Sequence, residues 1–174
     1  MSHNTRSNEM YICTGCEKGH IQLIKADVST LSTRNSLGEV IRIWIANPGF
    51  RTVVAFRLMS HFYCKKYYRR ASWMRIQILK RYGADLVPGA RIDQGFRIEH
   101  PVGIVIGKGV IVGKNFTVMH QVTLGQKEIH SKKLGGSPTI GDNVTIGTGA
   151  CLFGDIRISK GTFIKSGSIV TQDR

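Results

Sequence analysis

Residues 85–125 read DLVPGARIDQGFRIEHPVGIVIGKGVIVGKNFTVMHQVTLG. An aliphatic residue returns there every six positions, first as Leu86, Ile92 and Ile98. After a phase slip of two residues the series resumes as Ile106, Val112, Val118 and Leu124. A third run follows in Ile140, Ile146, Leu152, Ile158, Ile164 and Val170. A period of six fits neither an α-helix nor a half-buried strand. It fits a β-solenoid whose short straight segments each turn one aliphatic side chain inward. Glycine stands next to the aliphatic residue at Gly107, Gly113, Gly125, Gly141 and Gly147. There a sharp corner calls for a small residue or a positive φ.

Residues 126–137 (QKEIHSKKLGGS) separate Leu124 from Ile140. They are too polar to fill core positions and are expected to protrude as a loop, the kind of segment that often carries function. Upstream, residues 22–84 show apolar residues at helical spacing with basic residues between them, and Pro48-Gly49 separates two of the helices. Residues 1–21 are expected to be a flexible segment. The fold expected is thus mainly β, with a small α-helical region before a parallel β-helix over 85–174.

Of the 174 residues 41% are apolar, which places the chain among globular proteins. The formal net charge is +14. Such a surface suits nucleic acid, anionic lipid or a polyanionic small molecule. No helix-turn-helix, zinc-finger or RNP-type motif is present, so nucleic acid is not expected as a partner. Lys65, Lys66, Arg69 and Arg70 read first as a solvated helix face and second as a means of peripheral membrane association. No signal-peptide pattern and no membrane-spanning stretch is present, which predicts a cytoplasmic protein with four reduced cysteines. Cys13, Cys16 and His20 lack a fourth ligand for zinc, so they read as free thiols beside a histidine, and no metal is expected.

The periodic stretch 85–125 resembles the hexapeptide-repeat acyltransferases, and within them the serine acetyltransferase branch. Asn47 to Phe50 (NPGF), Arg57 and His61 are similar to that branch's helical motif, and the similarity extends over about residues 22 to 172. A branch of this family O-acetylates sugars for exopolysaccharide and has a short helical region like this one. The resemblance implies a left-handed coil of eighteen residues per turn, acetyl-CoA as co-substrate, and a homotrimer that closes its sites between subunits.

Read alone, His100 could be a hydrogen-bonded histidine at a coil corner. The resemblance makes it the catalytic base, paired with Asp85 fifteen residues before it. A carboxylate on one imidazole nitrogen fixes the tautomer and raises the basicity of the other, as removal of an alcohol proton requires. One coil plus the slip of two places His120 beside His100, where it would line the site or stand in as base. His130 reads as a solvated loop residue that could reach a neighbouring site. Cys151, next to the inward Leu152, reads as structural. By resemblance, coenzyme A lies near Gly125, Gly147, Thr148 and Ser166, with Lys132 and Lys133 as phosphate contacts by charge.

The residues that read serine in that family are altered. Asn35 and Glu99 stand at two aspartate positions, and Gly136 and Ser137 at an arginine and a histidine. With Glu99, Asn35, His120 and Ser137 as the acceptor contacts, the first expectation is acetyl transfer to a sugar hydroxyl in exopolysaccharide assembly. The second is a true serine acetyltransferase, and the third a non-catalytic trimeric scaffold.

Overall fold

The computed structural model describes residues 19–32, 36–127 and 136–174. Among these residues four helices precede the strands: α1 (His20–Ser29), α2 (Leu37–Ala46), α3 (Pro48–Cys64) and α4 (Tyr68–Tyr82). Thirteen short strands follow and form three parallel sheets. The first sheet stacks β1 (Asp85–Leu86), β4 (Val105–Ile106), β7 (Thr123–Gly125), β10 (Cys151–Phe153) and β13 (Ile169–Val170). The second stacks β2 (Arg91–Ile92), β5 (Ile111–Val112), β8 (Thr139–Ile140) and β11 (Arg157–Ile158). The third stacks β3 (Arg97–Ile98), β6 (Thr117–Val118), β9 (Thr145–Ile146) and β12 (Phe163–Ile164). Consecutive strands therefore visit the three sheets in rotation, and each circuit lies on the one before.

The register explains the spacing. Val105 pairs with Thr123 and Thr139 with Arg157, eighteen residues apart, while Asp85 pairs with Val105, twenty apart. The first circuit thus holds the two extra residues of the phase slip. In every strand the recurrent aliphatic residue points inward and is buried, from Leu86 to Val170. A second inward column lies two positions earlier, in Ala84, Phe96, Ile104, Phe116 and Val144. Phe96 and Phe116 stack within it, with ring centroids 5.8 Å apart.

The corner glycines work differently from the expectation. Positive φ falls mostly three residues after the inward aliphatic residue, for example at Asn115 (55°) and Asn143 (56°). Asparagine tolerates that conformation, and here Asn115 Nδ2 donates to Asn143 Oδ1 at 2.9 Å on the next circuit. The glycine directly after the aliphatic residue answers close approach between circuits. A Cβ on Gly113 would lie 2.3 Å from Asp142 Oδ1.

The helices are fixed to the coil at defined points. Asn47 caps α3, its Oδ1 accepting from Phe50 N–H at 2.8 Å, with Pro48 at the first helical position. Gly49 brings the start of α3 against β3, and a Cβ there would lie 1.9 Å from the Ile98 carbonyl oxygen. Gly49→Ala is accordingly expected to cost about 1–3 kcal/mol, because backbone and not a flexible side chain must move. Chemical denaturation checks this, and a loss below about 0.5 kcal/mol would show that the contact relaxes without cost. At the other end, α4 stops at Gly83 in the left-handed region (φ 68°), which turns the chain into β1.

Among the described residues no helix is long and apolar enough to cross a membrane. The expectation of four reduced cysteines is corrected at Cys64, which is disulfide-bonded. Compartment-based reasoning about thiols carries no information on which sulfurs a fold brings together. Cys13 and Cys16 lie outside the described residues.

Candidate active site

The third sheet leads into the first at one corner of the coil, and that corner holds most of the residues picked out in the sequence. Each lies two positions after an inward aliphatic residue: His100 after Ile98, His120 after Val118, Thr148 after Ile146 and Ser166 after Ile164. They form a column along one edge. Backbone bonds link its later steps, Gly149 N–H donating to the His120 carbonyl at 3.0 Å and Gly167 N–H to Thr148 at 2.8 Å.

His100 and His120 meet edge to face, with ring centroids 5.8 Å apart, so the structure brings them together as the spacing predicts. His100 is exposed, and His120 is half-buried with its Nδ1 covered and without a hydrogen-bond partner. Two basic rings therefore share a corner, one of them open to an incoming molecule.

Asp85 opens β1 on the far side of the same corner. Asp85 N–H donates to the Ile104 carbonyl and Gly103 N–H to Gly83, both at 2.8 Å, which lays the start of β1 along the turn that follows His100. Its carboxylate, however, is not on an imidazole. Arg75 of α4 takes both oxygens, Nε to Oδ1 at 2.6 Å and Nη2 to Oδ2 at 2.7 Å. That hydrogen bonding raises the Arg75 pKa above its ordinary value, against partial burial. The expected Asp85–His100 contact is thus replaced by an ion pair with a residue that the repeat pattern does not reach. A guanidinium fork matches a carboxylate better than a single imidazole N–H does.

Glu99, beside His100, is held by Arg97 at 2.5 Å. Ser137 Oγ donates to the Lys108 carbonyl at 2.9 Å on the preceding circuit. A Cβ on Gly136 would lie 2.4 Å from Asp155 Cβ, so that position is filled by packing. Of the expected coenzyme contacts, Thr148 and Ser166 stand in the corner column, and Gly147 lies close enough that its Cβ would touch Ser166 N at 2.7 Å. Gly125 is elsewhere, at the end of β7 opposite Phe153. Asn35, His130, Lys132 and Lys133 lie outside the described residues. Cys151 is a free, half-buried thiol at the start of β10.

Away from this corner, a cavity of about 620 Å³ lies between α1 and the end of α3, lined by His20, Lys25, His61 and Cys64 among others. None of the described residues that line it belongs to the coil. The His20 and His61 rings pack edge to face there at 4.9 Å. Burial, then His61 and Arg57, push the His20 pKa below its ordinary value. Among the described residues no cluster of His, Cys, Asp and Glu is suited to a metal ion.

No protein-family model and no curated protein matches the chain. Solved structures do. The serine acetyltransferase of Neisseria gonorrhoeae in complex with serine is 29% identical over 91% of this chain and 65% of its own, with a TM-score of 0.79. Soybean serine acetyltransferase complexed with serine is 29% identical over 90% and 64%, with a TM-score of 0.78. Isoform 3 of the Entamoeba histolytica enzyme in complex with cysteine is 28% identical over 89% and 56%, with a TM-score of 0.76. The chain spans less than two thirds of the length of each.

Proposed function

We propose that this chain is an acetyl-CoA-dependent O-acetyltransferase on a left-handed β-helix, with its site at the His100 corner. The observation that carries the reading is the likeness to serine acetyltransferases along about nine tenths of the chain. In this reading the acceptor hydroxyl gives its proton to His100 and attacks the thioester carbonyl. The tetrahedral intermediate then collapses, the coenzyme A sulfur leaves, and the proton follows it. Holding both substrates at one corner makes the transfer effectively unimolecular, so no acyl-enzyme is needed. Asp85 steadies the imidazolium once its carboxylate turns from Arg75 to His100, and His120 lines the acceptor side. Thr148, Ser166 and Gly147 continue the same edge, where small residues let a pantetheine chain approach the backbone. Lys132 and Lys133 would supply charge for the phosphates. The proposed assembly is a homotrimer with the edge closed by a neighbouring subunit.

Two acceptors are supported by different observations. Structures similar to this chain hold serine, which favours L-serine. The local chemistry favours a neutral polyol such as a sugar. A zwitterion needs both of its charges met, yet Glu99 is already paired with Arg97, and Gly136 and Ser137, at the corner between the first and second sheets, would reach the site only from a neighbouring subunit and bring no charge. Losing two charge-assisted contacts would lower serine efficiency by roughly a hundredfold or more. Steady-state release of coenzyme A thiol against serine and a panel of sugars decides between them. A sugar preferred by about a hundredfold is expected, whereas a serine kcat/KM of about 10⁴ M⁻¹s⁻¹ or above makes the chain a serine acetyltransferase. No transfer to any hydroxyl by active-site-intact trimer would remove the enzymatic reading altogether.

A further inference from the structure

No acidic residue occurs between Glu39 and Asp85. Over that stretch α4 and the turn before it carry Lys65, Lys66, Arg69, Arg70, Arg75, Lys80 and Arg81. Arg75 is paired with Asp85, and the other six are exposed. The helix buries Ala71 and Ile78, with Met74 half-buried beside them, on the core side. Its opposite face is not simply charged. Arg69, Trp73, Ile76 and Lys80 recur at helical spacing along one stripe, with Leu79 beside them. Trp73 is 59% exposed, Ile76 48% and Leu79 47%, and Tyr67 and Tyr68 are more than half exposed at the helix start.

We propose that this face of α4 docks the protein on an anionic lipid surface. A solvated helix face needs the cations but has no use for an exposed tryptophan and two branched aliphatic side chains among them. An interfacial helix needs both: aromatic and aliphatic side chains that enter the headgroup region, and lysines and arginines that meet lipid phosphates. The sign of the charge selects the lipid. A second copy docked face to face on this helix is disfavoured as the occupant, because it would bring two acid-free cationic faces together. Nucleic acid is disfavoured because the aliphatic Ile76 and Leu79 gain nothing from a phosphate backbone, whereas they gain apolar burial in a headgroup layer. Since Arg75 on this helix also holds Asp85, docking places the candidate active site close to the membrane plane, where lipid-linked acceptors would lie. This last consequence alone rests on the function proposed above, whereas lipid binding does not.

The test uses the full chain and vesicle flotation, with no activity readout. Phosphatidylcholine vesicles are compared with vesicles that also contain phosphatidylglycerol. The chain is expected to float with the anionic vesicles and not with the neutral ones. Each lysine or arginine near an anionic surface strengthens partition about fivefold, so Arg69→Glu with Lys80→Glu should weaken it by about 25-fold or more. Trp73→Ser with Ile76→Ser should weaken it by about tenfold through lost apolar burial. In a Trp44→Phe background, Trp73 emission should shift to the blue on anionic vesicles. Far-UV circular dichroism of each variant should match the parent, since every changed side chain is exposed. Failure to float with anionic vesicles overturns the proposal, and so does flotation that ignores the Trp73 and Ile76 changes. Sedimentation showing self-association that Trp73→Ser abolishes would overturn it in favour of a second copy on this face.

Discussion

Arg57→Ala is expected to destabilise the protein by about 3–5 kcal/mol, because it leaves a buried carboxylate without its cation. Arg57 is 2% exposed and Asp27 is 1% exposed. Arg57 Nε donates to Asp27 Oδ2 at 2.9 Å, and Nη2 donates to Oδ1 at 3.1 Å. The guanidinium also donates to the carbonyls of Ile92 and Asp93. Asp27 Oδ1 in turn accepts from Gly95 N–H at 2.9 Å and Phe96 N–H at 2.8 Å. One ion pair therefore ties α1 and α3 to the turn between β2 and β3, and every polar contact crosses between elements. The Phe56 and Phe96 rings flank the guanidinium at 5.9 Å. Asp27→Asn should cost a comparable amount, since it strands the cation instead. Replacing both together by apolar residues of similar volume should cost less than either single change, because no charge is then left buried. Urea denaturation measures the series. A loss below about 1 kcal/mol for Arg57→Ala would mean that solvent reaches Asp27 once the arginine is gone.

The coil was legible because its period is a property of neighbours in sequence. One inward aliphatic residue per strand, the slip of two before Ile106 and the break at residues 126–137 all reappear in the register, with Asp85 opposite Val105 and Ile111 opposite Thr139. The same counting placed His120 against His100. What periodicity could not carry was the choice of partner by long polar side chains. Arg57 stood out as part of a motif, but Asp27 lies thirty residues away as a lone carboxylate on another helix. Arg75 sits ten residues before Asp85, beyond a helix end whose turn sets the direction of approach. Arg97 and Glu99 are two residues apart on one strand end, near enough to pair, yet a strand pattern predicts only that both face outward. The corner glycines were legible only in part, for a related reason. Composition shows that a small residue is needed, and only the stacking of circuits distinguishes a positive φ from a close approach.

His100→Ala is expected to lower turnover by about 10²–10⁴-fold, the range of a lost general base, with the fold and coenzyme binding intact. The fold should survive because His100 is exposed at its corner. His120→Ala should cost less, as its ring lies one circuit on at 5.8 Å with one nitrogen covered. Asp85 is harder to read by a single change. Asp85→Asn removes a carboxylate that would steady the imidazolium, but it also strips Arg75 of its partner. A fall in rate could then come from catalysis or from a displaced α4. Groups that act as a unit are strongly non-additive, and this separates the two causes. If Asp85 works through His100, then Asp85→Asn should lower the parent rate clearly but barely change the residual rate of His100→Ala. If Asp85 serves only as the anchor of Arg75, it should lower both rates by the same factor, and Arg75→Ala should reproduce that loss. The first pattern is expected, with Arg75→Ala milder than Asp85→Asn because it leaves the carboxylate free to turn to the imidazole. An equal loss in both backgrounds would confine Asp85 to structure and leave His100 to act without a carboxylate.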